Sequence, residues 1–183
     1  RLRSLVIRHP DCAWSTRLPS TQLCRSHTNN QQISSDINIT TGLGSISGTK
    51  GIYARNYGSG TTTISTGAGV ISGTDGPGIY SNNLSLSSGL NITANDTTIN
   101  GTTDGLKTDH SGTGSTTIIA TGSDVTSTNG PGIRAFNASN SDSLTITSND
   151  SIINGSTFGV LASNSGLGIT SINTSGGNIS ASN

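Results

Sequence analysis

Isolated aliphatic residues stand among long polar stretches in residues 33–183, and they recur in register. Ile52, Ile79, Leu106, Ile133 and Val160 are each 27 residues from the next, and each follows a glycine: Gly51, Gly78, Gly105, Gly132 and Gly159. A fixed step within one chain means that one supersecondary unit recurs, each copy stacked on the last. Two more apolar sites complete each copy. The first is Ile46, Ile71, Ile99, a weak position at Val125-Thr126, and Ile153. The third is Ile64, Ile92, Ile119 and Ile146, with Ile169 or Ile172 last. Apolar and polar residues alternate there, as in Thr63-Ile64-Ser65 and Thr145-Ile146-Thr147. Alternation marks a strand with one buried face. Ser-Gly-Thr, Asn-Gly-Thr and Asn-Gly-Ser follow the first site and read as turns in which glycine supplies a positive φ.

Three short turn-linked strands per copy predict an all-β chain: a right-handed parallel β-helix of about five coils. Inward residues would stack on their counterparts one coil away, at a step of about 4.8 Å. Small residues two places after the second site suit a narrow interior: Ala54, Ser81, Thr108, Ala135 and Ala162. A longer period lies over the shorter one. Asp75-Gly76-Pro77-Gly78-Ile79 returns as Asn129-Gly130-Pro131-Gly132-Ile133, 54 residues on, so the coils alternate in type. Ile37 falls 27 residues before Ile64, which makes residues 33–39 the last strand of a coil. Gly177-Asn178-Ile179-Ser180 restarts the first site, and the chain reads as a fragment of a longer solenoid.

Composition changes near Asn29-Asn30. Residues 1–32 contain Trp14, Cys12, Cys24 and five arginines, with neither a strand nor a helix period. They read as a disordered or non-native segment before the repeat region at 33–183; a genuine cap is the alternative. The cysteine spacing fits no zinc motif. Hydrophobic residues are 29% and aromatics 3%, too few for a conventional core of large side chains. The repeat region sets Lys50, Arg55, Lys107 and Arg134 against eight aspartates. That balance argues against a nucleic-acid partner, which needs a basic stripe. No apolar run is long enough for a transmembrane helix. Leu5-Val6-Ile7 is too short for the apolar core of a signal peptide.

Catalysis on such a scaffold needs acids or bases gathered in one column across coils. The column of Lys50 continues through Pro77, Asp104, Pro131 and Phe158. No column sets two carboxylates on adjacent coils in strict register. Asp96, Asp124 and Asp150 come nearest; they read as solvated turn aspartates rather than a cation site. His110 reads as a surface turn residue. No enzymatic activity, metal or cofactor is expected.

A binding surface is the better candidate. Beside each inward aliphatic of the second site lies an outward residue: Tyr53, Tyr80, Lys107, Arg134 and Leu161. Two places further lie Arg55, Asn82, Asp109, Phe136 and Ser163. Tyr53, Arg55, Tyr80, Lys107, Arg134 and Phe136 form the candidate site, because rings and bases supply contact area and cation–π attraction. The ligand would be a glycan or a host protein; the alternative is a solvated face. Outward positions of the third strand, read as Thr63/Ser65, Asn91/Thr93, Ile118/Ala120 and Thr145/Thr147, give a Thr-x-Thr array too broken for an ice-binding face.

The stretch from Ile46 to Thr66, and Val70-Ile-Ser-Gly-Thr-Asp-Gly-Pro-Gly-Ile-Tyr80, resemble passenger-domain repeats of large bacterial autotransporters, folded like pectin lyase. The resemblance covers residues 33–183. It implies a β-helix displayed on the bacterial cell surface or secreted. It also implies an adhesive role and partners in its own longer chain: further coils and an outer-membrane β-barrel translocator. A pectin-lyase-like enzyme with its active site outside this sequence is the runner-up.

Overall fold

The computed structural model describes residues 26–30 and 36–182. Every described element is a strand, and the strands form three parallel sheets of six. Numbered along the chain, the first sheet contains β1 (Ser26–Asn30), β4 (Ile52–Asn56), β7 (Ile79–Asn83), β10 (Leu106–His110), β13 (Ile133–Asn137) and β16 (Val160–Asn164). The second contains β2 (Ile37–Thr41), β5 (Thr61–Thr66), β8 (Gly89–Asn95), β11 (Thr116–Thr121), β14 (Leu144–Asn149) and β17 (Thr170–Ser175). The third contains β3 (Ser45–Gly48), β6 (Gly69–Gly73), β9 (Thr97–Gly101), β12 (Asp124–Ser127), β15 (Ile152–Gly155) and β18 (Asn178–Ala181). Each strand pairs with the one three places on, so the chain winds as a β-solenoid of about five turns.

β1 lies on the arginine-rich side of the composition change, yet it pairs in register with β4, Ser26 opposite Ile52. Both cysteines and Trp14 lie outside the described residues.

The core is a stack of aliphatic layers. Ile79, Leu106 and Ile133 line up along the first sheet, and Ile92, Ile118 and Ile146 along the second. Ile99, Val125 and Ile153 line up along the third. All are buried, and each such side chain contributes about 1.5–3 kcal/mol of transfer free energy.

Three expectations are corrected by the register. Ile118, not Ile119, is the inward residue of β11, opposite Ile92 and Ile146, while Ile119 and Thr117 face out. Adjacent isoleucines offer two phases of alternation, and packing selects the one that continues the column. Ile39, not Ile37, pairs with Ile64; Ile37 pairs with Thr62, and both isoleucines are buried. Val125 is a full core residue rather than a weak position. The common cause is that only the first sheet, from β4 onward, keeps an even step. At the corner between second and third sheets, the Thr97 N–H donates to the Ser123 hydroxyl 26 residues on. The Ser123 N–H then donates to the Ser151 hydroxyl 28 residues on. Short and long steps together give the 54-residue period.

Close approach explains the repeating glycines. A Cβ on Gly78 would lie 2.7 Å from the Ile99 Cγ2 and 2.8 Å from the Gly105 carbonyl oxygen of the next coil. The turn glycines Gly73, Gly101 and Gly155 are explained the same way, not by the positive φ expected for them. A Cβ there would run into the carbonyls of Pro77, Asp104 and Phe158. Positive φ occurs instead at Gly44, Gly122, Gly176 and Gly177, and at Asp96 and Asp150.

A polar column closes the first sheet: Asn56, Asn83, His110, Asn137 and Asn164, in register. Each asparagine Nδ2 donates to a carbonyl that closes the following turn: Gly60 at 2.9 Å, Gly89 at 2.7 Å, Ser143 at 3.1 Å and Gly168 at 3.1 Å. Where the turn is short, Asn56 and Asn164 accept from the N–H of Gly58 and Gly166, each at 2.9 Å. Where it is long, Asn83 and Asn137 accept from the hydroxyls of Thr62 at 2.7 Å and Thr116 at 2.6 Å. Buried amides demand such partners, since an unsatisfied one costs about 1–3 kcal/mol.

Candidate functional site

Parallel pairing in the first sheet fixes where the outward side chains fall. Tyr53, Tyr80, Lys107, Arg134 and Leu161 occupy one column, each opposite the next. Arg55, Asn82, Asp109, Phe136 and Ser163 occupy the second. The first column is knit together. The rings of Tyr53 and Tyr80 stack with centroids 5.1 Å apart and planes 18° apart. Lys50 Nζ sits 4.8 Å from the Tyr53 centroid, and Lys107 Nζ sits 4.6 Å from that of Tyr80. Such cation–π contacts add about 0.5–1 kcal/mol where exposed. Lys107 also pairs with Asp109 at 3.2 Å.

The Tyr80 hydroxyl donates to Asp109 Oδ2 at 2.7 Å. Burial first, and then this hydrogen bond, push the Tyr80 phenol well above its ordinary value. It therefore stays protonated and holds the carboxylate. Arg134 Nε lies 3.4 Å from Asp104 Oδ1. Asp104 is 3% exposed. Thr103 Oγ1 donates to its Oδ2 at 3.1 Å, whereas Oδ1 accepts no hydrogen bond. The guanidinium is thus near enough for charge attraction but not aligned to donate.

A groove of about 530 Å³ runs alongside this column. Tyr80, Lys107 and Arg134 line one side. Lys50, Asp104 and Phe158 contribute from the turns between the third and first sheets. This turn column holds no paired carboxylates and lies outside the strands, so strand alternation does not mark it as part of a site. Its signal was present in the alternation of Lys50, Pro77, Asp104, Pro131 and Phe158 at the common step. Arg55 and Phe136 lie outside the groove: Arg55 packs over the Tyr57 ring at 4.5 Å, and Phe136 stands on the open face.

Two further expectations change. His110 is not a surface turn residue: it is fully buried in the asparagine column. Burial lowers its pKa, opposed in part by its backbone hydrogen bond to Gly114. Asp124 does not join Asp96 and Asp150; it sits in β12 opposite Thr98 and Ile152. One glycine lies between them in the turn column: the Asp96 N–H donates to the Thr121 carbonyl, just before Gly122, and the Gly122 N–H donates to the Asn149 carbonyl, just before Asp150. Glycine therefore separates the two carboxylates along the stack.

Comparison with protein-family models, curated proteins and solved structures finds no match to this chain. Among the described residues, no helix is long and apolar enough to cross a membrane.

Proposed function

We propose that the solenoid is the adhesive shaft of a bacterial surface or secreted protein of the autotransporter passenger type, acting by binding rather than catalysis. In this reading the same longer chain supplies further coils and the β-barrel that exports it. The face carrying Tyr53, Tyr80, Lys107 and Arg134, with Arg55 and Phe136 beside them, is the contact surface.

One observation carries the reading. Among the described residues, the outward positions of the second and third sheets hold no aromatic and no basic side chain. The rings and bases are gathered on one face of a three-faced prism, where tyrosines are pre-ordered by stacking. Ordered aromatic and arginine side chains lose little entropy on binding and dominate contact energies.

The test is attachment of the full chain, immobilised, to host cells and to glycan-coated surfaces. Combined Tyr53→Ser, Tyr80→Ser and Arg134→Ala should abolish attachment at a temperature where circular dichroism shows the β-fold of the variant intact. Unchanged attachment would remove this face from consideration. Labelling of intact producing bacteria by antibody against the solenoid, compared with permeabilised cells, tests the surface location.

A further inference from the structure

We propose that the outer face of the second sheet binds the surface of ice. The inference stands apart from the adhesive reading, because it uses another face and other residues.

Register is the first argument. With Thr117 and Ile119 facing out of β11, the regular array that the adjacent isoleucines conceal is restored. Thr63, Asn91, Thr117 and Thr145 stand opposite one another in one outward column. Ser65, Thr93, Ile119 and Thr147 stand in the next. Each of these coils thus offers at least one threonine to the array. Ile119 is its apolar member, and it is β-branched like threonine, so it keeps the shape of the column.

Spacing is the second. Successive coils lie about 4.8 Å apart, and side chains two residues apart on a strand lie about 6.6 Å apart. Oxygen rows on a prism face of ice repeat at close to these two lengths. Liquid water has no fixed rows, and a flexible polymer holds no spacing in two directions at once. A two-dimensional lattice of hydroxyls therefore selects a crystalline partner.

Chemistry is the third. None of the six strands of the second sheet contains a charged or aromatic residue. A charged group holds its own hydration shell and resists joining a neutral lattice. The inward hydroxyls of Thr62, Thr66 and Thr116 are hydrogen-bonded inside the stack. The outward hydroxyls of Thr63, Thr93, Thr117, Thr145 and Thr147 face solvent. Each can donate one hydrogen bond to water and accept two. Neighbours one coil away flank each of these side chains, and β-branching limits χ1. Little rotamer freedom is thus lost on adsorption.

The experiment is slow freezing of a dilute solution of the full chain, with its share in the ice fraction measured against an ordinary globular protein. The shape of single ice crystals growing in the same solution is the second readout. Wild type should enter the ice fraction and facet the crystals. Thr93→Lys with Thr147→Lys, which flank Ile119 in one column, should abolish both effects. Thr98→Lys with Ile152→Lys, which flank Asp124 on the third sheet, should leave both intact. Circular dichroism near the freezing point must show the β-fold in each variant. If a lysine pair unfolds the chain, Thr93→Ser with Thr147→Ser takes its place: it keeps the hydroxyls, removes the methyls and should weaken both effects. Exclusion of wild type from ice would overturn the proposal. So would second-sheet variants that behave as wild type, or an equal loss in the third-sheet pair. The first-sheet variant Tyr53→Ser, Tyr80→Ser and Arg134→Ala should still enter ice; if it does not, the second sheet is not the ice-binding face. Cell and glycan attachment is scored separately on that same variant, so either reading can fail alone.

Discussion

His110 donates from Nε2 to the carbonyl of Gly114 at 2.9 Å, in a column where its neighbours are asparagines. A carbonyl can only accept, so Nε2 carries the proton and Nδ1 is left as a bare acceptor. Nδ1 is buried and has no partner. In the matching short-turn coils, the corresponding acceptor takes the N–H of Gly58 or Gly166.

A substitution follows directly. His110→Asn should recover the missing acceptance from Gly112 and stabilise the fold by about 1 kcal/mol. Urea unfolding at neutral pH measures it. A decrease in the midpoint would show that ring volume, not the missing hydrogen bond, matters at this rung.

The same residue sets a pH dependence. Unfolded, the imidazole protonates near pH 6.5, and burial holds the folded value lower. Above that pH both states are neutral and the contribution is constant. As pH falls below it, the unfolded chain takes up the proton first, and stability is lost until the folded value is passed. Wild type should therefore lose more midpoint than His110→Asn between neutral and mildly acidic pH. Parallel curves would show that His110 does not titrate differently on folding.

Gly78 tests the close approach of coils. Gly78→Ala forces a Cβ against Ile99 and the Gly105 carbonyl and should destabilise by about 1–3 kcal/mol or more. Gly42 has nothing within 4 Å of its would-be Cβ, so Gly42→Ala should change stability by less than about 0.5 kcal/mol. Thermal midpoints of the pair decide it; equal shifts would mean that the glycines matter only through chain entropy.

Ile118 and Ile119 test the register of β11. Ile118→Ala should cost about 2–5 kcal/mol by opening a cavity in the stack. Ile119→Ser, on the outer surface, should cost less than about 0.5 kcal/mol. Reversal of that order would place the strand in the other phase.

Much of this architecture was legible because the glycine-aliphatic step of the first sheet is even. Ile52, Ile79, Leu106 and Ile133 announce coil count, strand identity and the outward columns beside them. The candidate residues Tyr53, Tyr80, Lys107 and Arg134 followed from that step alone. Reading failed where the step is uneven. An even step from Ile92 lands on Ile119, whereas the short coil brings Ile118 there. The asparagine column was invisible to a search keyed on apolar positions, since Asn83 and Asn137 look like ordinary turn residues. Their burial depends on carbonyls and threonine hydroxyls that only the folded coil brings within reach. Asp104 and Phe158 carry no such signal for a different reason: they reach the groove from turns, whereas alternation along a strand marks only that strand's own faces.

The alternation of short and long turns also bears on how a solenoid of this kind can change length. Asn83 relies on Thr62 and Asn137 on Thr116, in each case a hydroxyl from the short-turn coil before it. Recombination that removes one coil would set two coils of like kind together and break this complementarity. Removal or gain of a pair preserves every junction. The two-coil doublet is thus the unit by which such a solenoid can lengthen or shorten without a new interface to repair.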